Sequence, residues 1–225
     1  MEKGKRAWVL FSILTLILGF VPTTDGQPAA QILARLQEHY QRIKTLEAEF
    51  HQETTLPITS RVTRARGKMY LKLPGKMRWE YWEGQDKLVV INNGIMWFYE
   101  PEERQVTVTD LSKVPNSQEL LTFLIGIGDL KRDFLVNETV TTREGSILIQ
   151  LLPKAARSQW KALWLVVDGS SYNVLQTSFE GIQGEKTIIS YTNIREDVEL
   201  PEELFSFQIP EGMDVLNYPT EEKAH

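Results

Sequence analysis

The sequence predicts a mainly β, α+β protein, built from one antiparallel sheet with an apolar face and a few helices to cover it. Three observations lead there. Between Gly67 and Val108, turn residues separate short segments that alternate large apolar side chains with polar ones. Segments of the same kind resume between Ile147 and Ile194, and one amphipathic helical stretch lies near the start of the chain. Alternation with period two belongs to strands, and spacings of three and four belong to helices.

In the first group, Met69, Leu71 and Leu73 share one side, with Tyr70 and Lys72 on the other. Met77, Trp79 and Tyr81 do the same opposite Arg78 and Glu80. Leu88 to Ile91 follows, then the turn Asn92-Asn93-Gly94, then Ile95-Met96-Trp97-Phe98-Tyr99, which ends at Glu100-Pro101 before Val106 and Val108. One sheet face therefore carries bulky apolar residues. Few other segments are available to cover it, and an under-covered apolar concavity is a binding site for something apolar.

Ala29, Ile32, Leu33, Leu36, Tyr40, Ile43 and Leu46 recur at helical spacing and predict a helix over Pro28–Leu46 whose stripe lies on the sheet. A strand is expected at Ala48–Thr54, with a break at Pro57. Arg64, Arg66 and Lys68 then fall on one strand face opposite Ala65 and Gly67, read as a solvated face rather than a functional basic patch. Asn116 is placed as an N-cap and Glu119 in the capping-box position for a short helix containing Leu120, Leu121, Phe123, Leu124, Ile125 and Ile127. Gly126 and Gly128 sit at its end, and glycine lowers the cost of backbone rearrangement. Both a movable lid and a buried core helix fit this segment. Asp129 to Phe134 reads as another helical turn, and strands are expected at Ile147–Leu152, Trp160–Val167, Val174–Glu180 and Lys186–Ile194. Pro201 to Phe205 gives a short helical turn, Phe207 and Ile209 a last extended piece, and the tail from Thr220 is expected to be disordered.

Lys3, Lys5 and Arg6 precede an apolar run from Ala7 to Val21, after which the chain turns polar. This is the pattern of a secretory signal peptide, residues 1–26, with an apolar core shorter than the roughly 20 residues that span a bilayer. Residues 27–219 are then expected to form a single domain and 220–225 a tail. The net charge is −5; the leader has three cations against two anions, so the remainder is near −6. Such mild acidity gives no basic field for nucleic acid. Cysteine is absent, which excludes disulfides, thiolate metal sites and a lipid anchor through cysteine.

No reaction chemistry emerges. The three histidines, His39, His51 and His225, lack zinc-helix spacing, and there is no Gly-x-Ser-x-Gly or P-loop. The carboxylates near Glu100 and between Glu196 and Glu203 lie in loop-like charge runs, which usually face solvent. No metal, cofactor or catalytic residue is expected.

The order of parts resembles the LolA family of periplasmic outer-membrane lipoprotein carriers. The resemblance rests on Leu46-Glu47-Ala48-Glu49-Phe50-His51-Gln52, the run Gly67 to Tyr81, Asn93 to Pro101, Leu151-Leu152-Pro153-Lys154, and Leu200 to Phe207 with Pro210 to Val215. It implies an incomplete antiparallel β-barrel whose concave apolar side is covered by helices and takes the acyl chains of a triacylated lipoprotein. On that basis Met69, Leu71, Leu73, Met77, Trp79, Tyr81 and Trp97 line the cavity, while Leu36 and Tyr40 of the first helix and Leu121, Leu124 and Ile125 of the middle helix form the lid. The implied partners are triacylated lipoproteins, an inner-membrane ATP-driven exporter and an outer-membrane receptor, with the protein a periplasmic monomer and not an enzyme. The second reading is a lipid-sensing regulator of the envelope with the same fold; a secreted hydrolase lacks a visible nucleophile or acid pair. Related carriers have an arginine just before the proline of the Lys-x-Pro stretch that helps hold the empty lid shut. Leu73 stands there here, so closure is expected by apolar contact alone or by another residue, with Arg78 on the outer face.

Overall fold

A computed structural model describes residues 29–84, 86–114, 128–142, 144–155, 158 and 160–218. Helix α1 (Ala29–Arg42) leads into β1 (Thr45–Leu56) and β2 (Arg61–Lys72). β3 (Lys76–Glu83), β4 (Leu88–Asn92), β5 (Ile95–Glu100) and β6 (Gln105–Asp110) follow as a meander. After the short helix α2 (Leu130–Asp133) come β7 (Phe134–Thr141), β8 (Ser146–Pro153), β9 (Trp160–Asp168), β10 (Val174–Gly181) and β11 (Lys186–Glu196). A 3₁₀ turn over Glu202–Phe205 and β12 (Asp214–Asn217) close the chain.

All strands join one sheet in the order β12-β6-β5-β4-β3-β2-β1-β11-β10-β9-β8-β7. Every neighbour pair is antiparallel except β12 with β6. The sheet is open, and β6 and β7 stand near opposite edges, joined in sequence by a connection that starts after Asp110. Its residues 115–127, which include the predicted lid helix with Leu121, Leu124 and Ile125, lie outside the described residues, as do the predicted leader and tail.

The helix predicted over Pro28–Leu46 stops at Arg42. Ile43 and Leu46 keep the apolar period and are both buried, yet Ile43 lies past the helix end and Leu46 in β1, because β2 and β11 capture the chain from Thr45 onward. The Leu73 N–H donates to the Lys44 carbonyl, and the Asp197 N–H to that of Thr45. Two strands were not legible in the sequence. β7 has an irregular register between Val136 and Glu138 that breaks the alternation. β12 is exposed at every position and carries no pattern to read.

The two sheet faces pack differently. On the concave side, Ile32, Leu33, Leu36 and Tyr40 of α1 join inward residues of both halves of the sheet in one core. On the convex side, the segment from Leu200 to Phe207 straps across the meander. Arg78 Nη1 donates to the Leu204 carbonyl at 3.2 Å and Asn92 Nδ2 to the Phe205 carbonyl at 3.1 Å. Phe205, Val90 and Val106 are fully buried, forming a second, smaller apolar layer.

Candidate functional site

The register fixes what faces inward. Leu46 pairs with Leu71 and Leu71 with Met77; Ala48 pairs with Met69 and Met69 with Trp79; Phe50 pairs with Gly67 and Gly67 with Tyr81. Three rows thus cross β1, β2 and β3 on the concave face. Gly67 is required in the third row: a Cβ there would stand 1.8 Å from the Glu80 carbonyl oxygen and 2.6 Å from the Phe50 ring. The missing side chain lets Phe50 lie across β2, where its ring centroid is 4.6 Å from Trp79 and 5.1 Å from Tyr81. Trp79 in turn meets Tyr191 edge-on at 6.4 Å. The far wall is Ile149 and Leu151 of β8 with Leu163, Leu165 and Val167 of β9, all buried.

Of the residues expected to line a cavity, Leu36, Tyr40, Met69, Leu71, Met77 and Trp79 are brought together in this core, and Tyr81 packs against it half-buried. Leu73 lies beyond the end of β2, half-buried in the β2–β3 turn and outside the cluster. Trp97 is on the other face. The Asn93-Gly94 turn has positive φ at both residues, 51° and 81°, and pairs Asn92 with Ile95. That aligns Met96 with inward Ile91 and sets Trp97 beside outward Val90 and Val108, under Phe207 at 6.3 Å between ring centroids. The lining place that the resemblance implies for Trp97 is therefore corrected by the register of β4 and β5. Phe50, Tyr191 and the β8–β9 wall were absent from the expected lining although the alternation of their own strands marks them.

Among the described residues, α1 packs directly on the concave face of the sheet. Between Tyr40, Leu46, Ala48, Met69, Leu71, Val174, Tyr191 and Ile194 a cavity of about 10 Å³ remains. Pockets that hold small molecules run to several hundred Å³. The volume is taken by α1, whose Leu36 is fully buried against Trp79's side of the sheet.

Polar contacts also hold α1 down, so closure is not by apolar contact alone. Tyr40 Oη accepts a hydrogen bond from the Val174 N–H at 3.0 Å, and burial pushes its phenol pKa well up. His39 Nε2 is 3.0 Å from Asn173 Oδ1 and 3.2 Å from Glu196 Oε1, both acceptors, so it is the donor. Arg35 reaches the Tyr172 hydroxyl at 3.5 Å, and Gln37 Oε1 accepts from the Leu130 N–H of α2 at 3.2 Å. Three of these tethers end on the single β9–β10 turn. That turn is fixed by Asp168, which accepts from the Ser170 and Ser171 N–H groups and hydroxyls; these bonds hold its carboxyl far below the usual range.

Arg78 lies on the convex face, as its alternation predicts, and bonds to Glu80 and the C-terminal strap rather than to α1. Arg64 pairs with Glu53 and Arg66 with Glu83 on a solvated strand face, whereas Lys68, read as part of the same face, pairs with Glu47, which is buried. Among the described residues no group of three or more histidine and carboxylate side chains is placed to hold a metal, and no helix is long and apolar enough to cross a membrane.

Known proteins share both the sequence and the shape. A carrier from Methylococcus capsulatus, named outer-membrane lipoprotein carrier protein, is 29% identical over 201 residues, covering 89% of this chain and 93% of its own. One of the same name from Legionella pneumophila is 30% identical over 209 residues, covering 92% and 98%. A crystal structure of an uncharacterized conserved protein from Thermus thermophilus superposes with a TM-score of 0.52 at 15% identity, covering 85% of this chain and all of that one, which shows the fold alone. MucB superposes with a TM-score of 0.50 at 12% identity, and 62% of its chain is covered. The family model described as "Outer membrane lipoprotein carrier protein LolA" matches residues 41–208, so the chain belongs to the LolA family.

Proposed function

We propose that this protein is a periplasmic carrier that shields the acyl chains of outer-membrane lipoproteins between the inner and the outer membrane, binding without catalysis. The observation that supports it most is the concave apolar wall on which the amphipathic helix α1 packs, in a chain whose relatives carry the carrier name. Met69, Leu71, Met77, Trp79 and Tyr81 form the wall that receives the chains, and Leu36 and Tyr40 are the lid side chains they displace. An inner-membrane ATP-driven exporter and an outer-membrane receptor would supply and take the cargo.

Magnitudes make displacement of α1 reasonable. Ile32, Leu33, Leu36 and Tyr40 are buried on closing, and at about 1.5–3 kcal/mol per fully buried side chain they contribute roughly 6–12 kcal/mol. One ~15-carbon acyl chain carries about 12 kcal/mol of transfer free energy, at about 0.8 kcal/mol per methylene. One chain therefore roughly matches the helix, and several exceed it. Because α1 packs on the wall, admitting a chain requires displacing it, and that cost lowers the apparent affinity, which suits a carrier that must also release. Relatives named as carriers, matched over 93% and 98% of their own length, support transport over the sensing role.

The test is transfer. Inner-membrane vesicles bearing the exporter and a triacylated lipoprotein, given ATP, should release the lipoprotein as a soluble one-to-one complex with this protein. Absence of any acylated protein in the soluble fraction, with the exporter active toward an established carrier, would overturn the reading.

A further inference from the structure

The concave wall changes character along its height. Inward residues of β1 read Leu46, Ala48 and Phe50, then Gln52 and Thr54; those of β3 read Met77 and Trp79, then Tyr81. Register puts Thr54 beside Thr187 of β11, and Gln52 beside Ile189, whose β10 neighbour is Thr177. Adjacent strands therefore turn polar at about one level, the end of the wall nearest the β1–β2 hairpin. The groups form a connected row. Tyr81 Oη donates to Gln52 Oε1 at 3.1 Å, Gln52 Nε2 to Thr54 Oγ1 at 3.3 Å, and Thr54 Oγ1 lies 3.0 Å from Thr187 Oγ1. Tyr191 Oη donates to Thr177 Oγ1 at 3.4 Å just below. Thr177 and Thr187 are buried, so hydroxyls here are not explained by solvent alone.

The row is uncharged. Glu53, Arg64, Arg66 and Lys186, on the same strands, alternate to the convex face, where Glu53 pairs with Arg64 and Arg66 with Glu83. Arg61, the nearest cation of concave parity, is exposed at the hairpin end. A fatty acid or phospholipid brings a carboxylate or phosphate and calls for a cation. The lipidated amino terminus of a triacylated protein is different: its amine is acylated, and the joint between chains and peptide presents two ester carbonyls and an amide, all neutral. Amide and hydroxyl side chains can donate to those carbonyls and accept from that amide.

From this placement we infer that Gln52, Thr54, Tyr81 and Thr187 form a subsite for the neutral ester–amide joint of a triacylated polypeptide, sited where the apolar wall ends; the inference rests on the carrier reading. The acyl chains run down the hydrocarbon part of the wall and the peptide leaves past the β1–β2 hairpin. Selection for lipoprotein over free lipid comes from this row, since burial of hydrocarbon does not distinguish them.

Affinity for two ligands separates the possibilities: a synthetic tripalmitoyl-cysteinyl pentapeptide and a palmitate-length alkyl fluorophore without ester or amide groups. In Gln52→Leu/Thr54→Val the lipopeptide should bind at least tenfold more weakly while the alkyl probe stays within twofold of wild type. Tyr81→Phe, which keeps the ring against Phe50, should shift in the same sense by a smaller factor and guards against misfolding of the double variant. Equal loss for both ligands, or no loss for either, in variants with wild-type melting behaviour would overturn the subsite and leave the carrier reading intact. A wild-type protein that binds neither ligand would overturn the carrier reading itself, and the subsite with it.

Discussion

Removing the Tyr40 hydroxyl should make the protein bind acyl cargo more tightly, an effect opposite to that of most site mutations. In Tyr40→Phe the ring remains in the core, so apolar packing is kept, while the buried Val174 N–H loses its acceptor at 3.0 Å. Leaving a buried donor unsatisfied costs about 1–3 kcal/mol. If α1 lifts to admit a chain, both atoms meet water in the open form, so the cost falls on the closed form alone. A penalty near 1.4 kcal/mol raises the open fraction about tenfold, and the apparent Kd falls by the same factor while the closed form predominates. The readout is a titration with the tripalmitoylated peptide, followed by tryptophan fluorescence, beside a thermal melt. The melt should fall by roughly 2–6 °C, at about 2–4 °C per kcal/mol for a domain of this size. A lower Tm with unchanged or weaker affinity would refute the reasoning, because it would show that α1 stays in place when ligand binds.

Other outcomes follow from the same geometry. His39→Ala should act like Tyr40→Phe, raising affinity and slowing transfer to an acceptor membrane, since it frees α1 from Asn173 and Glu196; faster transfer would count against it. Gly67→Ala should cost several kcal/mol or prevent folding, because its Cβ meets the Glu80 carbonyl at 1.8 Å; a near-native denaturant midpoint would contradict the close approach of β2 and β3. Trp97→Ala should lower stability without changing affinity for the alkyl probe, whereas Trp79→Leu should weaken probe binding, and identical binding profiles would refute the assignment of opposite faces. Lys72 and Lys76 hold the Glu202 carboxyl down to about 2, from an ordinary 4.5. A depressed carboxylate stabilises above its unfolded pKa and loses that contribution as pH falls. The stability gap between wild type and Glu202→Gln should therefore be present at pH 7 and shrink between about pH 4.5 and pH 2; a gap constant over that range would exclude the ion pairs as its source.

Much of the wall was legible in the sequence because β1, β2 and β3 are regular where they line it, so parity alone puts Met69, Leu71, Met77 and Trp79 together. Parity fails across a turn unless the turn's own geometry is read. The Asn93-Gly94 signal was visible, but its consequence, that Met96 rather than Trp97 continues the face of Ile91, needs the pairing of Asn92 with Ile95. The end of α1 was misplaced because Ile43 and Leu46 continue its apolar period, although Leu46 is buried by pairing with β2 and β11 rather than by a helix. The helix tethers were beyond reach, since His39 meets Asn173 and Glu196 only after strands remote in sequence have been assembled. The depth of α1 was also not legible: amphipathicity says that α1 lies on the sheet, not how deeply Leu36 penetrates.

The C-terminal strap makes the molecule mechanically lopsided. Its contacts with Arg78, Asn92, Val90 and Trp97 sandwich the meander between two apolar layers, whereas Leu148, Trp164 and Val166 in the other half keep their outward sides partly wet. Among the described residues, the second apolar layer therefore backs the meander and not the β7–β10 half. The half that lacks this strap is also the half to which α1 is tied by Tyr172, Asn173 and Val174, so the helix is fastened to the side of the sheet opposite its reinforced one.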